Sequence, residues 1–155
     1  MQAIFVKFVI HTLALLPYRV CYALGTVLGY LAYIVPNSLQ KPTRINIDRC
    51  FRELSEQERH HLYKQSFLEL GRVATETGPL MLWNNRRTLR LVKQISGEEF
   101  IQQAFEKGKG IIIAAPHLGA WEMIGLYCSS NNPMTSLYRP LRMQELNPFV
   151  RKARQ

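Results

Sequence analysis

His117 and Glu122, five positions apart in His117-Leu118-Gly119-Ala120-Trp121-Glu122, are the residues of this chain best suited to moving a proton. A carboxylate that accepts a hydrogen bond from one imidazole nitrogen fixes the tautomer. The other nitrogen is then free to take a proton from an attacking hydroxyl. The spacing alone is weak evidence, although only His117 meets it: His11, His60 and His61 are followed at that distance by Leu16, Gln65 and Ser66. His60 and His61 read as a solvated helix face. On a regular helix, positions five apart point about 140° away from each other. His117 must therefore precede the first full turn, where Gly119 gives the backbone latitude and the helix start offers free N–H groups. The plain alternative is a hydrogen-bonded structural histidine.

Other chemistries find less support. Ser129 and Ser130 lie at the far side of the predicted helix, and no G-x-S-x-G elbow occurs. Lys107-Gly108-Lys109-Gly110 imitates a phosphate loop, but the chain there runs from helix into strand, the reverse of the geometry that offers a helix N-terminus to phosphate; it reads as a turn. Cys21, Cys50 and Cys128 are odd in number and far apart, so neither a disulfide framework nor a zinc knuckle is indicated. They read as spectators, buried or facing a membrane, in a reducing compartment.

The elements that would position His117 come next. Residues 110–115, GIIIAA, form a continuous apolar run with three β-branched residues at its centre, the pattern of a strand covered on both faces in a parallel sheet. His117 follows it directly after Pro116, at the carboxyl end of a strand, where reactive groups collect in open α/β sheets. Residues 88–95 alternate loosely as a strand, 118–130 read as a helix stopped by Asn131-Asn132-Pro133, and 134–138 as the next strand. Ser55 with Glu58 and Ser96 with Glu99 are capping boxes that begin helices, the first interrupted at Gly78-Pro79 and the second stopped at Lys107-Gly108. The expected fold class is therefore α/β, a partial parallel sheet over residues 37–155.

Residues 1–36 read as a membrane anchor. Between positions 1 and 40 the only charges are Lys7 and Arg19, and residues 8–35 are apolar apart from His11 and Pro17-Tyr18-Arg19. The stretch is too long and aromatic for a signal peptide. Either it crosses as one Pro-kinked transmembrane helix or two shorter helices lie in the interface. Tyr18, Tyr22, Tyr30 and Tyr33 suit the headgroup zone, and Lys41, Arg44, Arg49 and Arg52 downstream place the remainder in the cytoplasm. The net charge of +9 belongs mainly to the later chain. It suits anionic lipid, an acidic protein or nucleic acid, and for the last there is no recognised module and no interleaving of aromatics with cations.

The apolar N-terminus, N-I-D-R-C-F at 46–51, G-K-G-I-I-I-A-A-P-H-L-G-A-W-E at 108–122 and the later L-Y-R-P resemble the lipid A biosynthesis acyltransferases over essentially the whole chain. The G-x-W-E form is more specific than the H-x4-D/E box shared with the wider glycerolipid acyltransferases. The resemblance implies a glycerolipid-acyltransferase-like domain on the cytoplasmic side of the bacterial inner membrane. It implies His117 as general base, Glu122 as its partner, and Arg139 of Y-R-P as a residue that binds substrate phosphate or stabilises developing charge. A structural ion pair is the competing role for Arg139. The acyl donor would be acyl-acyl carrier protein, an acidic partner that the basic balance would steer, and the acceptor a hydroxyl of a lipid A precursor. No metal or tightly bound cofactor is implied.

The chain stops inside a predicted helix, before the family's later motifs, so a truncated domain of low stability and activity is expected. Two alternatives stand beside the leading reading. One is a non-catalytic membrane-associated fragment, and the other is an acyltransferase acting on a lysophospholipid or another glycolipid.

Overall fold

The computed structural model describes residues 1–108 and 110–154. Its elements are α1 (Gln2–Leu15), α2 (Tyr18–Ile34), α3 (Gln40–Cys50), α4 (Glu56–Leu82), α5 (Asn85–Leu89), α6 (Glu98–Glu106), α7 (Glu122–Asn131), a 3-10 turn (Gln144–Leu146) and α8 (Asn147–Ala153). They fall into two compact units: Met1–Leu82 with the C-terminal stretch from Pro140, and Trp83–Arg139. Lys109 of the expected Lys107–Gly110 turn, and Gln155 of the expected last helix, lie outside the described residues.

In the first unit α4 is the spine, and α2 packs along most of its length. The close approach comes from glycine. A Cβ on Gly71 would strike the carbonyl oxygen of Gly25 and lie 2.5 Å from the backbone nitrogen of Gly29. The polar groups of this seam are paired: Thr75 Oγ1 donates to Cys21 O at 2.8 Å, and Arg72 Nε to Thr26 Oγ1 at 2.9 Å. Phe67 and Cys21 are fully buried, and Ile10, Leu146 and Val150 close the core beneath α1.

Local chemistry explains most boundaries. Leu16, preceding Pro17, takes the extended backbone that a following proline imposes, which separates α1 from α2. The last carbonyls of α2 are met by side-chain amides: Asn37 Nδ2 donates to Ala32 O at 2.6 Å and Gln40 Nε2 to Tyr33 O at 2.9 Å. The Ser55–Glu58 capping box forms, with Glu58 Oε2 accepting from the Ser55 backbone N–H at 2.7 Å and the Glu58 N–H donating back to Ser55 Oγ at 3.3 Å. Arg44, Asp48, Glu56 and Arg59 then lace α3 to the first turn of α4.

Several expectations are corrected. No strand occurs among the described residues, so the parallel sheet and the α/β class do not hold. Residues 110–115 and 134–138 have the β-type composition but no ladder partner, and they lie in solvent: Ile112 is 97% exposed and Leu137 105%. Backbone N–H and C=O groups of an unpaired segment are satisfied by water, which removes the reason to bury its side chains. In the third segment, Asn84 wins over the alternating pattern. Its side chain accepts from the Arg87 N–H at 2.8 Å and starts α5, which takes Thr88 and Leu89 of the expected strand, and 90–95 follow as a turn and irregular chain.

The transmembrane alternative for residues 1–36 also falls, because no helix among the described residues is long and apolar enough to cross a membrane. Proline at 17 divides the apolar stretch into helices of 14 and 17 residues, short of the roughly 20 that a span requires. Conversely, Gly78-Pro79 does not interrupt α4. Both residues are buried inside it, and the tertiary contact of Gly78 with α1 outweighs the one hydrogen bond that proline removes. The second capping box is not made either; Gly97, at φ 84°, occupies the N-cap of α6 instead. Cys21 and Cys128 are buried, whereas Cys50 is exposed at the end of α3.

Candidate functional site

The second unit holds every residue singled out for chemistry. Thr88 of α5 is completely buried and α5 packs against α7. The Tyr127 hydroxyl on α7 donates to Glu98 Oε1 on α6 at 2.5 Å, and this carboxylate pushes the Tyr127 phenol up. These contacts hold α7, and α7 begins at Glu122.

His117 stands in the turn that leads into α7. Leu118 N–H donates to Pro116 O at 2.9 Å and Trp121 N–H to Gly119 O at 2.9 Å. Between them Gly119 takes φ 52°, left-handed backbone that a residue with a Cβ adopts at a cost. The turn brings the His117 ring onto Trp121, with centroids 4.4 Å apart and planes at 40°. His117 is exposed, and Glu122 is half-buried in the first turn of α7, where the positive end of the helix favours a negative side chain.

The structure therefore puts His117 and Glu122 on one turn without a hydrogen bond between their side chains among the described residues; the imidazole rests on Trp121 instead. Arg139 is exposed at the end of the irregular 134–139 segment, and among the described residues no hydrogen bond or ion pair joins it to His117 or Glu122. Two shallow surface hollows, one lined by Asn147, Pro148, Arg151 and Lys152, the other including Met1, Arg142 and Glu145, contain none of the three. Among the described residues no group of three or more His, Cys, Asp or Glu side chains is arranged to hold a metal ion.

Sequence reasoning did not single out Trp121 as the ring partner of His117, although its place beside Glu122 in G-x-W-E was visible. It also passed over Trp83 and Arg87, whose guanidinium sits 3.5 Å above the indole centroid. Trp83 lies just before Asn84, the N-cap of α5, and Arg87 lies within α5, so no regular helical spacing marked the pair.

Comparison with known proteins gives the class of the chain that carries this turn. Residues 2–155 match the family described as bacterial lipid A biosynthesis acyltransferase, and the chain belongs to that family. It is 34% identical over 125 residues to the lipid A biosynthesis lauroyltransferase of Escherichia coli K12, covering 81% of this chain and 40% of that protein. To the palmitoleoyltransferase of the same organism it is 29% identical over the same shares. To a lipid A biosynthesis acyltransferase of Haemophilus influenzae it is 28% identical over 144 residues, 92% of this chain and 44% of the relative. The chain thus spans about two-fifths of the length of these curated relatives. No solved structure matches it.

Proposed function

We infer that this chain contributes the base-bearing part of an enzyme that transfers a fatty acyl group from acyl carrier protein to a hydroxyl of a lipid A precursor. The observation that carries this reading is the family match over residues 2–155, within which His117 and Glu122 fall on the turn entering α7. His117 takes the hydroxyl proton as the oxygen attacks the thioester carbonyl. The carbon–sulfur bond then breaks, and the carrier thiol leaves with a proton returned by the imidazolium. Glu122 orients the imidazole once the turn tightens around substrate. Such hydrogen bonds are often made only in the reacting complex. Arg139 offers a planar, permanently charged fork for a substrate phosphate or a developing oxyanion.

The reaction takes place at the cytoplasmic face of the bacterial inner membrane, with α1 and α2 lying in the interface. Phe5 and Phe8 on α1 and Val27 and Leu28 on α2 are each more than half exposed, which suits a lipid surface better than water. No tightly bound cofactor enters the chemistry.

The test is acyl transfer from acyl-acyl carrier protein to a lipid A precursor by membranes carrying the chain. His117→Ala is expected to lower the rate about a hundredfold or more while the chain stays in the membrane fraction. Equal turnover in the variant overturns the reading. A second reading, a non-catalytic membrane-associated chain, draws on the exposed 110–115 segment. It expects deletion of residues 1–36, and not His117→Ala, to abolish the biological effect.

A further inference from the structure

Between Glu76 and Glu98 the sequence carries four cations, Arg86, Arg87, Arg90 and Lys93, and no acid. The structure turns this stretch into a ridge. Asn84 caps α5, Thr88 is completely buried, and the Leu91 and Val92 N–H groups continue the turn by donating to Thr88 O and Leu89 O at 2.9 and 3.1 Å. Leu89, Leu91 and Val92 are thereby half-buried, while all four cations are exposed. None of the four forms an ion pair among the described residues; the ion pairs there belong to Arg44, Arg59 and Arg72. Arg87 is fixed by stacking on Trp83.

We propose that this ridge is the docking surface for the acidic acyl carrier protein, which deepens the reading given under Proposed function and rests on it. Guanidinium forks match carboxylates two bonds at a time, and a short stretch of unneutralised charge steers an acidic partner at low ionic strength. A bilayer is the less suitable occupant. A helix that lies in a membrane sets its cations beside a broad apolar face, and of the large apolar residues from 83 to 95 only Ile95 is exposed. Exposed apolar side chains are frequent on α1 and α2, and in the second unit they come after the ridge, at Phe100, Ile112, Leu118 and Leu137, so the stretch from 83 to 95 lacks such a face of its own. The ridge is also well placed for delivery, because α5 packs on α7, the helix that begins at Glu122. A carrier seated there holds its thioester arm over the same compact unit as His117.

The experiment uses the full chain in mild detergent and a fluorescently labelled acyl carrier protein, with affinity read by anisotropy at about 50 and about 300 mM salt. Arg86→Glu/Arg90→Glu/Lys93→Glu, which keeps the Arg87–Trp83 stack, is expected to weaken binding at least about tenfold and to flatten its salt dependence. Lys41→Glu/Arg49→Glu/Arg52→Glu, the same change of charge on exposed cations of the first unit, is expected to bind as the parent does. Retention on vesicles of phosphatidylglycerol and phosphatidylethanolamine is expected to survive the ridge variant. Carrier affinity unchanged in the ridge variant, or reduced equally in the control, overturns the assignment of the ridge, as does loss of vesicle retention in place of carrier binding. A parent chain that binds no carrier at either salt overturns the donor reading itself.

Discussion

The Tyr18 hydroxyl donates a 2.7 Å hydrogen bond to Glu76 Oε1, joining the first residue of α2 to a carboxyl that is only 4% exposed in α4. Burial pushes the Glu76 carboxyl up, against the opposing influence of the Tyr18 bond, and pushes the Tyr18 phenol up as well.

A folded-state pKa above the unfolded one means that this group's stabilisation is complete below the ordinary glutamate range and is lost as pH rises through the raised value. Glu76→Gln keeps an acceptor for Tyr18 and removes the buried charge. It is expected to raise Tm by a few degrees at pH 7 and to lose that advantage near pH 4. Tyr18→Phe leaves the carboxylate without its donor and is expected to cost about 1–3 kcal/mol at pH 7. Thermal melts of the three proteins across pH decide it; a Glu76→Gln protein less stable than the parent at pH 7 contradicts the argument.

Gly71 sets the separation of α2 and α4. The atoms that an added Cβ would meet are backbone, Gly25 O and Gly29 N, and they cannot swing aside. Gly71→Ala must therefore push the two helices apart and open the contacts of Thr75 with Cys21 and of Arg72 with Thr26. Alanine is the better helix former, so propensity alone would stabilise the variant by about 1 kcal/mol. Overpacking is expected to win, with a net loss of about 2 kcal/mol or more in denaturant unfolding.

The sequence made the helical unit more legible than the unit that bears the site. The Ser55–Glu58 box and the proline at 17 act through groups within four residues of themselves, and both govern boundaries in the structure. GIIIAA at 110–115 is different in kind: a strand exists only when another strand supplies its hydrogen bonds, and that partner is not written in the run itself. The α/β expectation failed at this point, and the strand-end position inferred for His117 went with it. What remained readable was the turn. Gly119 does adopt the left-handed conformation that lets the chain pass from His117 into α7. The Gly25–Gly71–Gly29 seam and the Tyr18–Glu76 bond join residues more than 40 positions apart, and no local pattern marks them.

The exposed side chains of α1 offer a direct test of interfacial binding. Phe5 and Phe8 are 67% and 68% exposed, so replacing both leaves the buried contacts of Ala3 and Ile10 in place. If α1 lies in the headgroup boundary, each ring withdraws apolar area worth about 1–2 kcal/mol from water. Phe5→Glu/Phe8→Glu is then expected to reduce partition into vesicles at least about tenfold, measured by flotation, with helix content unchanged by circular dichroism. Undiminished flotation would assign the apolar face of α1 to some other cover.

The His117–Trp121 contact makes a prediction that needs no turnover. With ring centroids 4.4 Å apart, the imidazole protons lie within the ring current of the indole. Trp121→Leu removes that field while keeping an apolar side chain at the start of α7, so the His117 ring resonances are expected to move toward random-coil positions, with those of His60 and His61 unmoved. Pairs of this kind contribute about 0.5–1.5 kcal/mol beyond area burial, enough to hold an exposed imidazole in one orientation most of the time. Where the parent transfers acyl groups, Trp121→Leu is expected to slow the reaction several-fold with the acceptor KM little changed, the pattern of a positioning residue that acts through the base. His117 resonances that do not move on substitution would show that the ring is oriented by something other than Trp121.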